Sequence, residues 1–125
     1  MDWLIDTDIL IDALCGSAKA IELIEDNLTK IAISVMSVAA LYQGVRNTKE
    51  QKQLELTLSM FTVLPITNDI AIQAGHYSSR YKASHGTGLA DCLIAATAEC
   101  HGLFLMTLNI KHYPMLRKLD APYKK

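Results

Sequence analysis

The residues best suited to chemistry are acids that follow a short hydrophobic run at the start of the chain. Trp3-Leu4-Ile5 leads directly into Asp6-Thr7-Asp8. Another acid, Asp91, lies in the apolar segment 88–98, and Asn109 follows a further apolar run. Carboxylates at the end of a buried strand and at the start of a helix, with a polar residue after a last strand, would meet at one edge of an open α/β sheet. Such a set of oxygen ligands is typical of a magnesium site.

The order of hydrophobic segments predicts an α/β fold, a three-layer sandwich with a mostly parallel central sheet. Short apolar runs predict strands over residues 3–6, 30–34, 62–64 and 103–108. Helical spacing of apolar residues predicts helices over residues 9–14, 18–27, 36–45, 48–61, 67–81 and 87–99. Pro65 limits the strand before it to an edge of the sheet, and residues 117–125 are expected to form a short edge strand or a tail. Right-handed crossovers would bring the ends of the central strands to the same edge.

Several polar residues are expected to cap these helices. Ser17 precedes the second helix, Thr48 and Gln51 have the form of a capping box, and Thr87 precedes the helix that contains Asp91. A capping side chain accepts a hydrogen bond from a backbone N–H in the first helical turn. These residues therefore predict where three of the helices begin.

The length and composition limit the class of protein. With 125 residues, of which 50% are hydrophobic, the chain is expected to form a single domain over residues 1–125. Its formal net charge of −1 excludes a protein that holds nucleic acid by positive charge alone, so such a substrate requires metal ions or a local basic face. Cys15, Cys92 and Cys100 lack a metal-binding spacing and are expected to be buried thiols in a reducing cytoplasm. We expect no signal peptide and no segment that crosses a membrane.

The main candidates each admit a chemical and a structural interpretation. Asp6 is interpreted as a metal ligand, although an acid in this place also suits a cap for the helix that follows. Asp8 is equally suited to supporting Asp6 and to capping that helix. Asp91 is interpreted as a ligand because a buried carboxylate is costly unless it is paired or holds a metal. The segment Thr107-Leu108-Asn109 is either part of the site or the turn that ends a strand.

The remaining polar residues are weaker candidates. Asp12, one turn beyond Asp8, is expected to be a solvated helix residue. The four histidines of the chain show no zinc-binding spacing. Most of them are expected to be surface or capping residues, and His85, which shortly precedes Asp91, also admits a contact with a substrate phosphate as the less favoured interpretation. Thr7 has no evident base beside it in the sequence, so it is a supporting residue rather than a nucleophile.

Four motifs, in this order and spacing, resemble PIN-domain ribonucleases, specifically the VapC toxins of type II toxin–antitoxin modules. They are Leu4-Ile5-Asp6-Thr7-Asp8, residues 33–44, residues 86–91 with the alanine-rich helix that follows, and Thr107-Leu108-Asn109-Ile110-Lys111-His112-Tyr113. In this family three acids and a fourth Asp or Asn hold one or two divalent ions, and Asp6, Asp91 and Asn109 match three of these positions.

The resemblance carries expectations about activity and partners. It implies a cytoplasmic endoribonuclease that uses Mg²⁺ or Mn²⁺ to activate water and cleaves single-stranded or looped RNA. It places Asp6 and Asp91 as the metal ligands, with Thr7, Asp8 and Thr107 as supporting residues. It also implies a homodimer and a VapB-type antitoxin that wraps the toxin and blocks the acidic crevice.

The chain departs from the family pattern at Ala40. The family has glutamate at this position of the motif in residues 33–44, and alanine can neither bind a metal nor orient an attacking water. Gln43 and Ser37 are helical neighbours, but a neutral amide or hydroxyl is a poor replacement for a carboxylate on a hard cation. Two explanations are open, an engineered inactivating substitution and a naturally weakened enzyme. In both, the fold and metal pocket are expected to survive while activity is very low.

Two other classes of function compete with this interpretation. The acids after the first strand also approximate the Asp-x-Asp start of haloacid-dehalogenase phosphatases, but the chain is short and has no Asp-Asp pair downstream. A non-catalytic PIN-like module that binds RNA or protein is the second alternative, and Ala40 favours it. Such a module would bind RNA and stay inactive after Ala40→Glu.

Overall fold

The computed structural model describes residues 1–117, 119 and 121–124. Within them the chain forms strands β1 (Trp3–Ile5), β2 (Ile31–Ser34), β3 (Thr62–Leu64) and β4 (Phe104–Met106). The α-helices are α1 (Thr7–Leu14), α2 (Ala18–Asn27), α3 (Val35–Gln43), α4 (Thr48–Leu58), α5 (Asn68–His85) and α6 (Leu89–Cys100). Short 3₁₀ turns cover Leu28–Lys30 and Ile110–His112. Among the described residues, no helix is long and apolar enough to cross a membrane.

The four strands form one parallel sheet in the order β3-β2-β1-β4. The first and last strands of the chain are therefore neighbours, and Leu4 of β1 lies opposite Leu105 of β4. Beyond the last pair, the backbone N–H of Asp6 donates to the carbonyl of Met106 at 2.9 Å. The residues that follow these two strands consequently meet at the carboxyl edge of the sheet. The short strand before Pro65 lies at the opposite edge, as its proline predicted.

Helices cover both faces of this sheet, which confirms the three-layer α/β sandwich. Successive residues of a strand point to opposite faces, and Leu4 and Ile5 accordingly belong to different core clusters. Leu4 packs with residues of α5 and α6, including Ile70 and Ala95. Ile5 packs with residues of α1 to α4. Both strand residues are fully buried, so β1 is anchored on each side and its end has a fixed position.

Helix α1 differs from the prediction in its first residue, and helix α4 differs in its capping residue. The first helix starts at Thr7 instead of Ile9, because the Asp6 side chain caps it. The fourth helix is capped by Asn47, whose side chain accepts from the backbone N–H of Glu50 at 2.9 Å, so the capping box at Thr48 was wrong. Ser17 caps α2 as predicted.

The junction between α5 and α6 also differs from the prediction. Helix α5 continues to His85 and ends at Gly86, which has a φ of +62° in the left-handed region that glycine adopts without strain. Thr87 does not cap α6; Gly88 occupies the capping position without a side-chain hydrogen bond. The Thr87 hydroxyl instead donates to the carbonyl of His112 at 3.1 Å, so Thr87 joins this junction to the segment after β4.

The cysteines and the C-terminal segment agree only in part with the sequence prediction. Cys92 is buried as expected, whereas Cys15 and Cys100 are exposed. From Arg117 onward the described residues form neither helix nor strand, which leaves a tail instead of an edge strand in that part. The prediction for this segment also covered Lys118, Asp120 and Lys125, which lie outside the described residues.

Candidate active site

Asp6 occupies the carboxyl end of the central strand β1 and is only 4% exposed. Its Oδ1 accepts from the backbone N–H of Thr7 at 2.8 Å, which makes it the N-cap of α1. Its Oδ2 accepts from the Thr107 hydroxyl at 2.7 Å and from the Tyr113 hydroxyl at 2.8 Å. A carboxylate has about four lone-pair sites, so these three donors leave capacity for a further partner. Capping and ligation are therefore compatible roles for Asp6.

Tyr113 links the two principal acids. It is 1% exposed, and its hydroxyl lies 2.8 Å from Oδ2 of Asp6 and 3.3 Å from Oδ1 of Asp91. A hydroxyl carries one proton, so the shorter contact with Asp6 is the stronger hydrogen bond. Burial, together with the charges of Asp6 and Asp91, raises the pKa of Tyr113 far above its ordinary value. The side chain therefore stays neutral and holds the two carboxylates on either side of one hydroxyl.

Asp91 lies in the first turn of α6, but it is less buried than its apolar helix suggested. Its side chain is 28% exposed, and its Oδ2 lies 3.3 Å from Nδ1 of His112. The His112 side chain is itself 48% exposed. The Asp91 carboxylate thus contacts the buried Tyr113 hydroxyl on one side and faces solvent on the other, where a substrate can approach. The surroundings of Asp6, Asp91 and Tyr113 are called the pocket below.

Asp8 fixes the chain that leaves β4. Its Oδ1 accepts from the N–H of Ile9 at 2.8 Å, and its Oδ2 accepts from the N–H of Leu108 at 2.8 Å. The Thr107 hydroxyl lies 3.4 Å from the same Oδ2. The interpretation of Asp8 as the helix cap was wrong because Asp6 holds that place, and the contacts of Asp8 support the first acid by fixing Thr107.

The electrostatics of the pocket favour a proton or a cation beside Asp6. Burial is the main cause that raises the pKa of Asp6 to about 6, and the neighbouring Asp8 charge adds to it. Hydrogen bonds from Thr107, Tyr113 and the Thr7 backbone act in the opposite direction. Burial likewise raises the pKa of Asp8. Two carboxylates with unfavourable charge in a small volume are stabilised by positive charge placed between or beside them.

Ala40 and Asn109 are less closely connected to these acids. Ala40 is half-buried on α3, one turn after Ser37, whose hydroxyl lies 2.9 Å from that of Thr7. Positions three apart share one side of a helix, so Ala40 lies on the side of α3 that meets the start of α1. Asn109 is exposed, and its backbone N–H donates to the Thr107 hydroxyl at 3.0 Å. Among the described residues its side chain forms no hydrogen bond with either principal acid.

Sequence reasoning assigned no role to Tyr113 or His112, although both stand in the last motif. A single tyrosine carries no spacing signal, and its contact with Asp6 depends on how the chain turns after β4. Asp12, expected to be solvated, is half-buried and accepts from the Tyr123 hydroxyl at 2.7 Å. These contacts are long-range and are set by tertiary structure alone.

Removing the Tyr113 hydroxyl is expected to destabilise the metal-free protein. Tyr113→Phe leaves the buried Asp6 carboxylate with one donor fewer, a loss of about 1–3 kcal/mol in the free energy of unfolding. Urea unfolding at pH 7 with EDTA measures it. Tyr42→Phe, at an exposed tyrosine of α3, is the matched control and should change stability by less than about 0.5 kcal/mol. Equal stability of the two variants would contradict the role given to Tyr113.

Comparison with known proteins identifies the family. Residues 3–115 match the PIN domain family. Over 96% of this chain and 92% of the relative, the sequence is 42% identical to ribonuclease VapC10 of Mycobacterium tuberculosis. This chain belongs to the VapC ribonucleases of the PIN-domain family.

Further relatives agree with this VapC assignment. Ribonuclease VapC19 of Mycobacterium tuberculosis is 39% identical over 96% of this chain and 98% of its own length. A toxin–antitoxin complex from Klebsiella pneumoniae contains a chain with a TM-score of 0.85 and 30% identity, covering 99% of this chain and 100% of that one. Membership of the VapC family excludes the haloacid-dehalogenase alternative.

Proposed function

We propose that this chain carries the active site of a metal-dependent endoribonuclease that hydrolyses RNA, disabled or weakened by Ala40. The observation that supports the proposal most strongly is the shared contact of Asp6 and Asp91 with the Tyr113 hydroxyl at the carboxyl edge of the sheet. This is the edge where open α/β sheets bind their ligands. The ribonuclease names of its VapC relatives support RNA as the substrate class.

The donor set fits a hard divalent cation. Asp6 and Asp91 offer carboxylate oxygens, and Mg²⁺ is commonly held by one or two carboxylates together with waters and substrate phosphate oxygens. Within the described part of the chain, no three His, Cys, Asp or Glu side chains are grouped as metal ligands, so the proposed site depends on Asp6 and Asp91 alone. When bound, Mg²⁺ or Mn²⁺ lowers the pKa of a water and neutralises charge on the scissile phosphate.

The protein's own groups prepare the pocket for this reaction. Thr107 and Tyr113 fix the Asp6 carboxylate, and the half-exposed Asp91 borders solvent where RNA can enter. The methyl group of Ala40 can neither accept a proton nor orient a water. The pocket therefore retains the groups that hold a cation and lacks one that directs the nucleophile.

Titration with Mn²⁺ tests the metal part of the proposal. Isothermal titration calorimetry of the chain at pH 7 is expected to detect a site that Asp6→Asn weakens by at least about tenfold, because the ligand loses its negative charge. Glu22→Gln, at an exposed acid of α2, is the matched control and should leave the affinity unchanged. Equal affinities for all three proteins would place the ion elsewhere and contradict the proposal.

A non-catalytic module is the second candidate, and Ala40 is the observation that favours it. Both candidates predict RNA binding by the chain. They differ in the Ala40→Glu variant, which cleaves RNA if the pocket is a disabled nuclease and only binds RNA if the module is non-catalytic.

We further propose a VapB-type antitoxin as the protein partner. The Klebsiella pneumoniae relative was solved as a toxin–antitoxin complex. In this chain a groove of about 570 Å³ lies between α1, α3 and α4 and is lined by residues that include Ile11, Leu14, Ala40 and Leu54. An adjoining pocket shares Leu14 with it and extends to α2. An apolar segment of an antitoxin would fit this groove, which also contains Ala40. The expected homodimer stays a prediction for sedimentation analysis.

Ile11 provides the test of this groove. It lines the groove and is 48% exposed, so Ile11→Glu should leave the fold intact and weaken antitoxin binding by at least about tenfold, since an apolar contact becomes a buried charge. Ile72→Glu, at an isoleucine of α5 that is 52% exposed and lies outside the groove, is the control. Biolayer interferometry with a VapB-type antitoxin measures both, and equal binding by the two variants would exclude the groove.

A further inference from the structure

Two stretches of the chain contain basic residues and no acidic ones. Residues 70–90 contain His76, Arg80, Lys82 and His85 and no Asp or Glu. Residues 100–119 contain His101, Lys111, His112, Arg117 and Lys118 and again no acid. The whole chain has a net charge of −1, so these stretches are a marked local departure from the average. Within them the exposed Lys82 and Lys111 are candidates for the local basic face that a nucleic-acid substrate of this chain requires.

The structure joins these two stretches beside Asp91. Thr87 is fully buried and donates to the carbonyl of His112 at 3.1 Å. The His112 ring in turn lies 3.3 Å from the Asp91 carboxylate. The end of α5, two residues before Thr87, is thereby held close to the pocket. Lys111 lies in the 3₁₀ turn next to His112.

A row of aromatic rings runs along α5 from the core to this end of the helix. The ring centroids of Tyr77 and Tyr81 are 6.5 Å apart with the ring planes inclined by 47°. Those of Tyr81 and His85 are 5.7 Å apart at 77°, an edge-to-face contact in which each ring presents its own face for stacking. Tyr77 is buried and donates a hydrogen bond to Glu99 of α6. Tyr81 is half-buried, and His85 is exposed with its Nδ1 2.7 Å from the Ser84 hydroxyl. The row is therefore anchored at one end and accessible at the other.

We propose that Tyr81 and His85 form a stacking platform for unpaired bases of single-stranded RNA, whose phosphates contact Lys82 and Lys111. Single strands are bound by rings on which bases stack and by cations that follow the backbone. The platform lies beside the pocket and positions the strand so that its scissile phosphate reaches Asp91. This inference rests on the proposed ribonuclease function and names residues that bind the substrate outside the acidic pocket.

If the aromatic and basic side chains of α5 had a purely structural role, substituting them would affect a different property of the protein. Aromatic residues four positions apart stabilise a helix, and basic residues in its last turn interact favourably with the helix dipole. Those effects change the stability of the protein but not its preference for single strands. Measurement of RNA affinity therefore separates the platform from helix stabilisation.

The low activity expected of the Ala40 chain allows binding to be measured without cleavage. Fluorescence anisotropy with a labelled single-stranded RNA of about 12 nucleotides reports the affinity of the parent chain, Tyr81→Leu and His85→Ala. Each substitution is expected to weaken binding by at least about fivefold, because a stacking surface is lost. Tyr42→Ala, at an exposed position of α3 away from the row, should stay within about twofold of the parent. Circular dichroism melts confirm that each variant is folded.

Two further measurements distinguish stacking from charge alone. The two ring substitutions should leave affinity for heparin, which has no bases, nearly unchanged. Lys82→Ala and Lys111→Ala should each reduce the slope of log affinity against log salt by about 0.7. An equal loss of RNA and heparin affinity in the ring variants would overturn the platform.

The outcome for the platform is separable from that for the proposed function. RNA affinity that is unchanged in folded Tyr81→Leu and His85→Ala overturns the platform, even when Ala40→Glu cleaves RNA. No RNA binding by the parent chain overturns it too. Loss of the ribonuclease function itself would be seen as an inert Ala40→Glu variant, whatever the ring variants bind.

Discussion

The Ala40→Glu variant is expected to cleave RNA in Mg²⁺ or Mn²⁺ at least about 100 times faster than the parent chain. Restoring the carboxylate supplies a group that orients or deprotonates the attacking water, a contribution of about 10²–10⁴ in rate. The structure has room for it, because Ala40 lines a groove of about 570 Å³. The new side chain would leave α3 on the side of Ser37, which contacts Thr7 next to Asp6. Cleavage of a labelled single-stranded RNA, followed on a gel, measures the effect.

Matched controls show whether position and metal are responsible. Ala39→Glu adds the same charge at the neighbouring, exposed position of α3 and is expected to stay at the parent level. Asp6→Asn in the Ala40→Glu background, and EDTA, should each return cleavage to that level. A folded, metal-bound Ala40→Glu protein that leaves both short and total cellular RNA intact would favour the binding module instead.

The second large effect is on the pH dependence of stability in EDTA. Asp6 has a pKa raised to about 6 from the ordinary 3.8. Between these values Asp6 binds more protons in the folded protein than in the unfolded chain, so its contribution to stability is greatest below about pH 4 and is lost as pH rises to about 6. The raised pKa corresponds to roughly 3 kcal/mol over this window. Above about pH 6, Asp6 is an ionised and poorly solvated carboxylate, and its contribution to the free energy of unfolding stays at its lowest value.

Comparison with Asp6→Asn isolates this contribution from the other acids. The free energy of unfolding, from urea titrations at several pH values between 4 and 7.5, should fall with pH in the parent relative to the variant. The difference should level off above about pH 6.5, and Asp6→Asn should be the more stable protein at pH 7. A parent that gains stability over the variant with rising pH would show that the Asp6 pKa is lowered, and the burial argument would be wrong.

Much of the fold could be predicted because its signals are local. The apolar runs around Leu4, Ile33 and Leu105 gave the central strands, since both faces of a parallel sheet are buried. Ser17 and Pro65 marked a helix start and an edge strand by their own backbone chemistry. Asn47 and Gly88 were missed as caps because each stands one residue from a plausible alternative, Thr48 or Thr87. The Thr87 hydroxyl is held instead by the long-range contact with the carbonyl of His112.

The site was predictable in its acids and not in the contacts that organise them. Asp6 and Asp91 were recognised from strand and helix context, and their proximity follows from the sheet topology. The bridging role of Tyr113 depends on a turn after β4 that no spacing encodes. The choice between capping and ligation for Asp6 could not be made from the sequence because the carboxylate has enough lone pairs for both. Asn109 resembled a ligand by motif, yet its side chain lies at the exposed surface.

Anomalous X-ray diffraction from crystals of the Ala40→Glu protein grown with Mn²⁺ tests the central claim most directly. The pocket of Asp6 and Asp91 is predicted to give the strongest anomalous peak, about 2–2.5 Å from a carboxylate oxygen of each acid. The Tyr113 hydroxyl is expected to remain within hydrogen-bond distance of Asp6. A strongest peak at any other place, or none from crystals of an actively cleaving protein, would contradict the assignment of this pocket as the catalytic metal centre.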